Sequence, residues 1–240
     1  MKGYQRLQRA LELVRATDRR TVGREVARRA WGEKTYLGLR CDLSELPDRR
    51  AAKIPLTMIA RDCADFTGFE IERQHATGAD QFQVLIRERL CALGVKSLYV
   101  ATSHNEMPMY CQWLIHADDQ DLLDASGAGE YAKLAGDEVL LEGAYTFTPF
   151  RGVGAMADGM WQLLSIARGD GARCAFTYVA DDNIPSLRGC ANVGFVADHV
   201  HLSVRRFGRR RTEIRGLDDE AREAWARATA PRSHKPTVSG

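Results

Sequence analysis

Apolar residues recur along the chain in two rhythms. Tyr4, Leu7, Leu11 and Val14 repeat at helical spacing, with Arg6, Arg9 and Arg15 turned elsewhere. A second helical pattern runs from Thr21 to Trp31, and "EKTYLGLRCDLSELPDRRAAKIP" reads as a short strand and a proline-bounded connector. Residues 1–53 are therefore predicted to be an N-terminal helical extension packed on the core, because so short a segment builds little core of its own.

From residue 54 the rhythm alternates between strand and helix. "IPLTMIAR" is strand-like. Gly78–Leu93 places Phe82, Leu85, Ile86, Leu90 and Leu93 on one helical face, ended by Gly94. "KSLYVATSHNEMPMYCQWLIHA" predicts two strands joined by a turn near Asn105–Pro108. Asp118–Leu134 reads as loop and helix, and "DEVLLEGAYTF" as a long strand. Ala155–Arg168 is a helix with Met156, Met160, Leu163, Leu164 and Ala167 inward. "ARCAFTYVA" is a buried strand, Asn183–Val193 a short helix and "GFVADHVHLSVRRF" a late strand. After Leu217 come an acidic-capped helix and a polar tail, Pro231–Gly240, expected to be disordered. The pattern predicts an α/β chain with a main domain at 54–216 and a C-terminal helix and tail at 217–240. Hairpin-linked strands followed by strand–helix–strand argue against a purely parallel sheet.

Composition narrows this further. The chain has 240 residues, 45% of them hydrophobic, enough for a sizeable core. A net charge of +2 gives no strong attraction to nucleic acid. Residues 1–30 and "RRFGRRR" at Arg205–Arg211 are locally basic and read as solvated faces. No apolar run is long enough to span a membrane and the basic N-terminus is not a signal peptide, so the expected location is cytoplasmic. The six cysteines (Cys41, Cys63, Cys91, Cys111, Cys174, Cys190) form no CxxC pair and read as buried reduced thiols. His199 and His201 lie one pleat apart without an evident third ligand, so no metal is expected.

The most informative stretch is "PFRGVGAMADGMWQLLSIARGDG", where a strand meets an arginine, two glycines and a helix. The first turn of a helix leaves backbone N–H groups without partners, and its dipole adds partial positive charge. Gly152 and Gly154 let a bulky phosphate approach, and Arg151 can add charge. The turn has neither the Gly-Lys-Ser/Thr of a Walker loop nor a complete dinucleotide fingerprint. After the next strand comes "DDNIPSLRGCANVGF", with Asn183 at a helix mouth, Ser186 one turn in, and Gly194–Phe195 closing it.

These two motifs, in this order and with a helix and a strand between them, resemble the GCN5-related N-acetyltransferase (GNAT) superfamily. Arg151 and Gly154 match its Arg/Gln-x-x-Gly-x-Gly/Ala loop, and Asn183, Ser186, Gly194 and Phe195 its later Asn-x-x-Ser/Ala…Gly-Phe pattern. The likeness covers residues 54–207 or so. It implies a mixed, twisted, mainly antiparallel sheet flanked by helices, whose two central parallel strands, here Glu138–Phe147 and Ala172–Ala180, splay around the pantetheine arm of an acyl-CoA. It also implies pantetheine pairing with the backbone of Tyr145, Thr146 and Phe147, and a pyrophosphate on the N–H groups of Gly152, Val153, Gly154, Ala155 and Met156. The implied activity is an N-acyltransferase, most simply acetyl-CoA to a small-molecule primary amine. A longer acyl donor on CoA or on an acyl-carrier protein, a non-catalytic acyl-CoA-binding module, and acetylation of protein amines are the alternatives. The protein is expected to be a monomer or homodimer.

Two departures matter. Met156 stands where the loop ends in Gly or Ala, and Cys190 stands where many members have a tyrosine that protonates the departing thiolate. Cys190 is thus a candidate acid, with a helix-packing role as the favoured reading. Glu142 is the first candidate base: on an alternating strand it shares a face with Leu140, Ala144 and Thr146, an odd place for a solvated carboxylate. His116, His104 and Glu106 are second candidates. The resemblance puts the acceptor beside "DFTGFEIERQHATGAD", where Asp65, Glu70 and Glu72 mix with Phe66 and Phe69, a lining suited to a cationic amine.

Overall fold

The computed structural model describes residues 31–230 except 93, 104–105, 126–130 and 207–208. The helical patterns within residues 1–30, the tail from Pro231 and His104 lie outside the described residues.

One eight-stranded sheet organises the chain. Its strands are β1 (Trp31–Asp42), β2 (Met58–Arg61), β3 (Leu98–Thr102), β4 (Pro108–His116), β5 (Glu138–Thr146), β6 (Cys174–Ala180), β7 (Val196–Arg206) and β8 (Arg209–Gly216). Their spatial order is β2-β3-β4-β5-β6-β1-β7-β8. Only β5 and β6 run parallel; the other neighbours are antiparallel. The helices are α1 (Gly68–His75), α2 (Ala79–Ala92), α3 (Gln120–Ala125), α4 (Ala155–Gly169), α5 (Ile184–Ala191) and α6 (Asp219–Thr229).

Helices cover both faces. On one face α4, α5 and α6 bring Met160, Leu163, Leu164, Leu187 and Ala224 against Leu37, Leu39, Leu141 and Val200. On the other, Phe69 of α1 and Val84 and Leu90 of α2 pack on Val100, Trp113, Ile115 and Leu140. Burial on both sides explains why β4 is an almost unbroken buried run instead of an alternating one.

Four expectations change. First, the segment assigned to an extension supplies, from Trp31 onward, a twelve-residue strand in the middle of the sheet, paired with both β6 and β7. A short strand was expected there, but its full length and central place depend on partners distant in sequence. Second, β8 was not expected; its basic, largely exposed residues carry little alternation because it is an edge strand. Third, not all cysteines are thiols. Cys63, before α1, and Cys91, near the end of α2, form a disulfide across a Cα–Cα distance of 5.1 Å. Cys41, Cys111, Cys174 and Cys190 are free and buried. Fourth, Glu142 shares its face with Leu140, Tyr145 and Phe147, not with Ala144 and Thr146. A bulge is the cause: the β4–β5 register shifts between Cys111 and Trp113, opposite Glu142–Tyr145. Gly143 there has φ +68°, and a Cβ on it would lie 2.7 Å from the Trp113 ring, so the site requires glycine.

Among the described residues, no helix is long and apolar enough to cross a membrane, and no group of three or more His, Cys, Asp or Glu is placed to hold a metal ion.

Candidate active site

The opening between β5 and β6 defines the site. The two strands pair at Glu138–Cys174, Val139–Ala175 and Leu140–Phe176, and no further, although they continue to Thr146 and Ala180. Beyond Leu140 the edge of β5 facing β6 is free of strand pairing. Its other edge stays held to β4 through Tyr145–Cys111, Thr146–Tyr110 and a bond from the Phe147 N–H to the Met109 carbonyl (3.1 Å). The side chains of Tyr145 and Phe147 are buried in the aromatic core, which fixes the backbone at the mouth of the gap.

The glycine turn stands where β5 ends. Gly152 (φ +77°) and Gly154 (φ +89°) both adopt the left-handed conformation, and Gly154 caps α4 without any side chain. The first intrahelical bond runs from the Asp158 N–H to the Gly154 carbonyl (3.1 Å), so the N–H groups of Ala155 and Met156 point out of the helix end. Ala155 is buried; Met156 is half-buried and leans on α5, its sulfur 3.2 Å from where a Cβ on Gly189 would stand. The Val153 carbonyl accepts from the Lys53 N–H at 2.8 Å. Asp158 fastens the same connector to the helix, accepting from Arg49 Nε (2.7 Å) and the Ala52 N–H (2.8 Å). Burial opposes its ionisation, but these bonds and one from Gln162 prevail and hold its carboxyl below the ordinary range.

Arg151 is less available than the motif implies. Its guanidinium grips Asp80 with two 2.9 Å bonds and lies 5.7 Å from the centre of the Tyr145 ring. Two more charged groups from the α1–α2 layer hold β5. Glu72, 7% exposed, accepts from Tyr145 Oη (2.9 Å), the Thr148 N–H (3.2 Å) and Thr148 Oγ1 (2.7 Å). Arg87, 6% exposed, donates from Nε to the Gly143 carbonyl (2.8 Å) and from Nη2 to the Ala144 carbonyl, and so braces the bulge.

Glu142 sits at this bulge. Part of the residue is accessible, yet its carboxyl is ringed by protein, and burial pushes its pKa above the ordinary carboxylate value. The Gly143 N–H, the Arg87 charge and a bond from Tyr131 pull the other way.

No family model matches the sequence, and no curated protein matches it. Solved structures do. An acetyltransferase of the GNAT family from Colwellia psychrerythraea superposes with a TM-score of 0.50 at 14% identity, over 71% of this chain and 55% of that one. The fold is that of the GNAT acetyltransferases. A glucosamine N-acetyltransferase region of a fungal multi-domain β-N-acetylglucosaminidase aligns at 10% identity and a TM-score of 0.49, over 76% of this chain and 22% of that one. The chain thus spans about half the length of the Colwellia protein and less of the fungal one.

Within the GNAT fold, the other expected residues fall as follows. Asn183 caps α5, its side chain accepting from the Ser186 N–H at 3.3 Å. Cys190 is 0% exposed, in the core on the face opposite Glu142, and burial lifts its thiol to about 12. That setting suits packing and not proton delivery, so Cys190 is set aside as an acid. His116 ends β4 opposite Val139, at the far end of β5 from the bulge. Glu106 is exposed in the β3–β4 turn. Part of the segment expected to line the acceptor has structural partners: Phe66 and Phe69 pack edge to face (4.9 Å) beneath Phe147, and Glu72 is tied to Tyr145 and Thr148, while Asp65 and Glu70 are exposed. Sequence reasoning missed Arg87 and Tyr131, whose importance depends on a bulge set by how β4 and β5 pair.

Proposed function

We propose that the protein is an acyl-CoA-dependent N-acyltransferase that moves an acetyl group from acetyl-CoA to the primary amine of a small molecule by direct attack in a ternary complex. The observation that carries this reading is the parallel β5–β6 pair that parts after Leu140–Phe176, in front of a helix end capped by a left-handed glycine. An extended arm with amide groups can pair with the open edge of β5 at Tyr145, Thr146 and Phe147. Its diphosphate then meets the N–H groups from Gly152 to Met156. The Colwellia protein's description as an acetyltransferase supports the acetyl donor.

Glu142 takes one proton from the acceptor's ammonium, freeing the nitrogen lone pair. Nitrogen attacks the thioester carbon, the C–N bond forms, and a backbone N–H of β5 receives the oxyanion. The C–S bond breaks, the nitrogen gives its second proton to water, water protonates the thiolate, and Glu142 later returns its proton to solvent. An alkyl thiol titrates near 8.5, so the thiolate departs near neutral pH without an enzyme acid.

The burial of Cys190 favours a second reading, a module that binds acyl-CoA without turnover. Calorimetric titration with acetyl-CoA and an assay of thiol release separate the two. Gly154→Asp, which adds a carboxylate beside the diphosphate and strains a left-handed residue, is expected to abolish donor binding. Gly154→Asn, tolerant of that conformation, is expected to keep part of it. Unchanged affinity in Gly154→Asp refutes the cradle, and tight binding with no thiol release across amines establishes the module.

A further inference from the structure

A cavity of about 460 Å³ opens on the same face as Glu142, one strand away. Its wall includes Leu140 of β5, Phe176 and Tyr178 of β6, Asp198 and His199 of β7 and Ile214 of β8. The volume lies within the range of small-molecule sites. Strand pairing explains why the space exists. Tyr178, Gly38, His199 and Gly216 stand side by side across β6, β1, β7 and β8, so two of four positions in the row lack side chains. His199 lies over Gly38, where any Cβ would overlap its ring, and Asp198 Oδ2 holds its Nδ1 at 2.9 Å.

The cavity connects to the reactive carboxylate through aromatic rings. Tyr178 is 5.2 Å, centroid to centroid, from Tyr131, and Tyr131 hydrogen-bonds Glu142. Two phenol rings beside a carboxylate attract an ammonium group by cation–π and charge attraction. Beyond them the wall is apolar and aromatic (Leu140, Phe176, Ile214), with the polar Asp198–His199 pair at the far side. Of the other lining charges, Arg215 pairs with Asp218 (3.1 Å) and Glu138 accepts from the Ala135 N–H (2.8 Å), while Lys133 is exposed. A polyamine needs several carboxylates still free; here Phe176 and Tyr178 instead offer ring faces, which favour an aromatic acceptor over an amino sugar.

We infer that this cavity is the acceptor pocket and that it takes an arylalkylamine, with the amine at Glu142, Tyr131 and Tyr178, the ring over Phe176, and a ring hydroxyl at the Asp198–His199 pair. The inference rests on the acyltransferase reading for its chemistry, but binding of the amine alone tests it separately. Ile214→Trp is the decisive variant, because Ile214 is 46% exposed on the edge strand and a larger ring there fills the cavity without disturbing the core. Tyramine, phenylethylamine, glucosamine and spermidine are titrated calorimetrically into the folded protein, with and without CoA. They are then assayed as acceptors with acetyl-CoA. Tyramine is expected to bind best, phenylethylamine several-fold weaker, and Ile214→Trp to raise the Kd and KM for tyramine at least tenfold while acetyl-CoA affinity stays the same. Gly38→Ala, which displaces His199, is expected to erase the tyramine advantage over phenylethylamine. Preference for glucosamine or spermidine, absence of arylalkylamine binding, or tyramine binding unchanged in Ile214→Trp overturns the inference. Tyramine binding that Ile214→Trp abolishes, without thiol release from acetyl-CoA, keeps the pocket and removes the acyltransferase reading.

Discussion

The two halves of one sheet face handle charge in opposite ways. Under α1 and α2, on β2–β5, the ionic groups are bonded within the protein: buried Glu72 accepts three bonds, buried Arg87 grips two carbonyls, and the more exposed Asp80 holds Arg151. Across the splay, on β6, β1, β7 and β8, the same face opens into a cavity beside Tyr178 and the Asp198–His199 pair. Glu142 sits on the border, partly accessible and with a raised pKa. The contrast teaches that a buried charge marks chemistry only where its bonding capacity is not already used. Glu72 is the more buried carboxylate and the better bonded, and its work is structural.

The contrast can be tested from its border outward. Glu142→Gln keeps shape and backbone contacts, so acetyl-CoA affinity is expected to hold while the chemical step falls roughly 10²–10⁴-fold in single-turnover assays. As the proposed base, Glu142 works in its ionised form. Its rate is expected to fall with acidity at a pH above the ordinary glutamate range of about 4.3, and that limb is expected to vanish in the glutamine variant. Stability has the opposite sign. A raised folded-state pKa favours the folded protein fully below the unfolded value, and that advantage is lost as pH rises through the folded value. A surviving acid limb with little loss of rate assigns the proton transfer to another group.

Arg87→Met sharpens the closed half. It strands two buried carbonyls and is expected to cost about 3 kcal/mol in urea unfolding, whereas Ile214→Ala in the open half is expected to cost less than about 0.5 kcal/mol. Equal costs would erase the distinction. Replacing Cys63 and Cys91 together by serine, which loosens the α1–α2 layer, is expected to cost about 2 kcal/mol. Thiol labelling carries the smallest signal. Burial lifts Cys41, Cys111 and Cys190 to about 12 each, and Cys174 is also buried, so the native protein is expected to resist a thiol reagent. Unfolding is expected to release four thiols, and reduction two more.

What was legible in the sequence is what short-range backbone geometry dictates. The Gly152–Gly154 turn, the start of α4 at Ala155 and the Asn183 cap each depend on a few neighbouring residues, and each stands where the pattern placed it. The splay was anticipated through family resemblance. What depends on distant partners was missed. The face of Glu142 followed from alternation until the Gly143 bulge, which exists only because β4 shifts register opposite it. Cys63 and Cys91 meet across a separation of 28 residues that matches no motif. Phe66, Phe69 and Glu72 resembled a ligand wall because composition does not reveal which groups are already engaged.

The position of β1 bears on how the molecule is made. Its apolar residues Leu37 and Leu39 leave the ribosome well before the strands that flank them, β6 and β7, which begin at Cys174 and Val196. Closing so long a loop is entropically costly before any native pairing rewards it. The middle of the sheet is therefore among the last parts to be assembled, and a growing chain must carry a sticky, unpaired strand past more than a hundred residues. A ribosome stalled short of β7 would hold an assembly-incompetent nascent chain whose early strand is open to capture by chaperones.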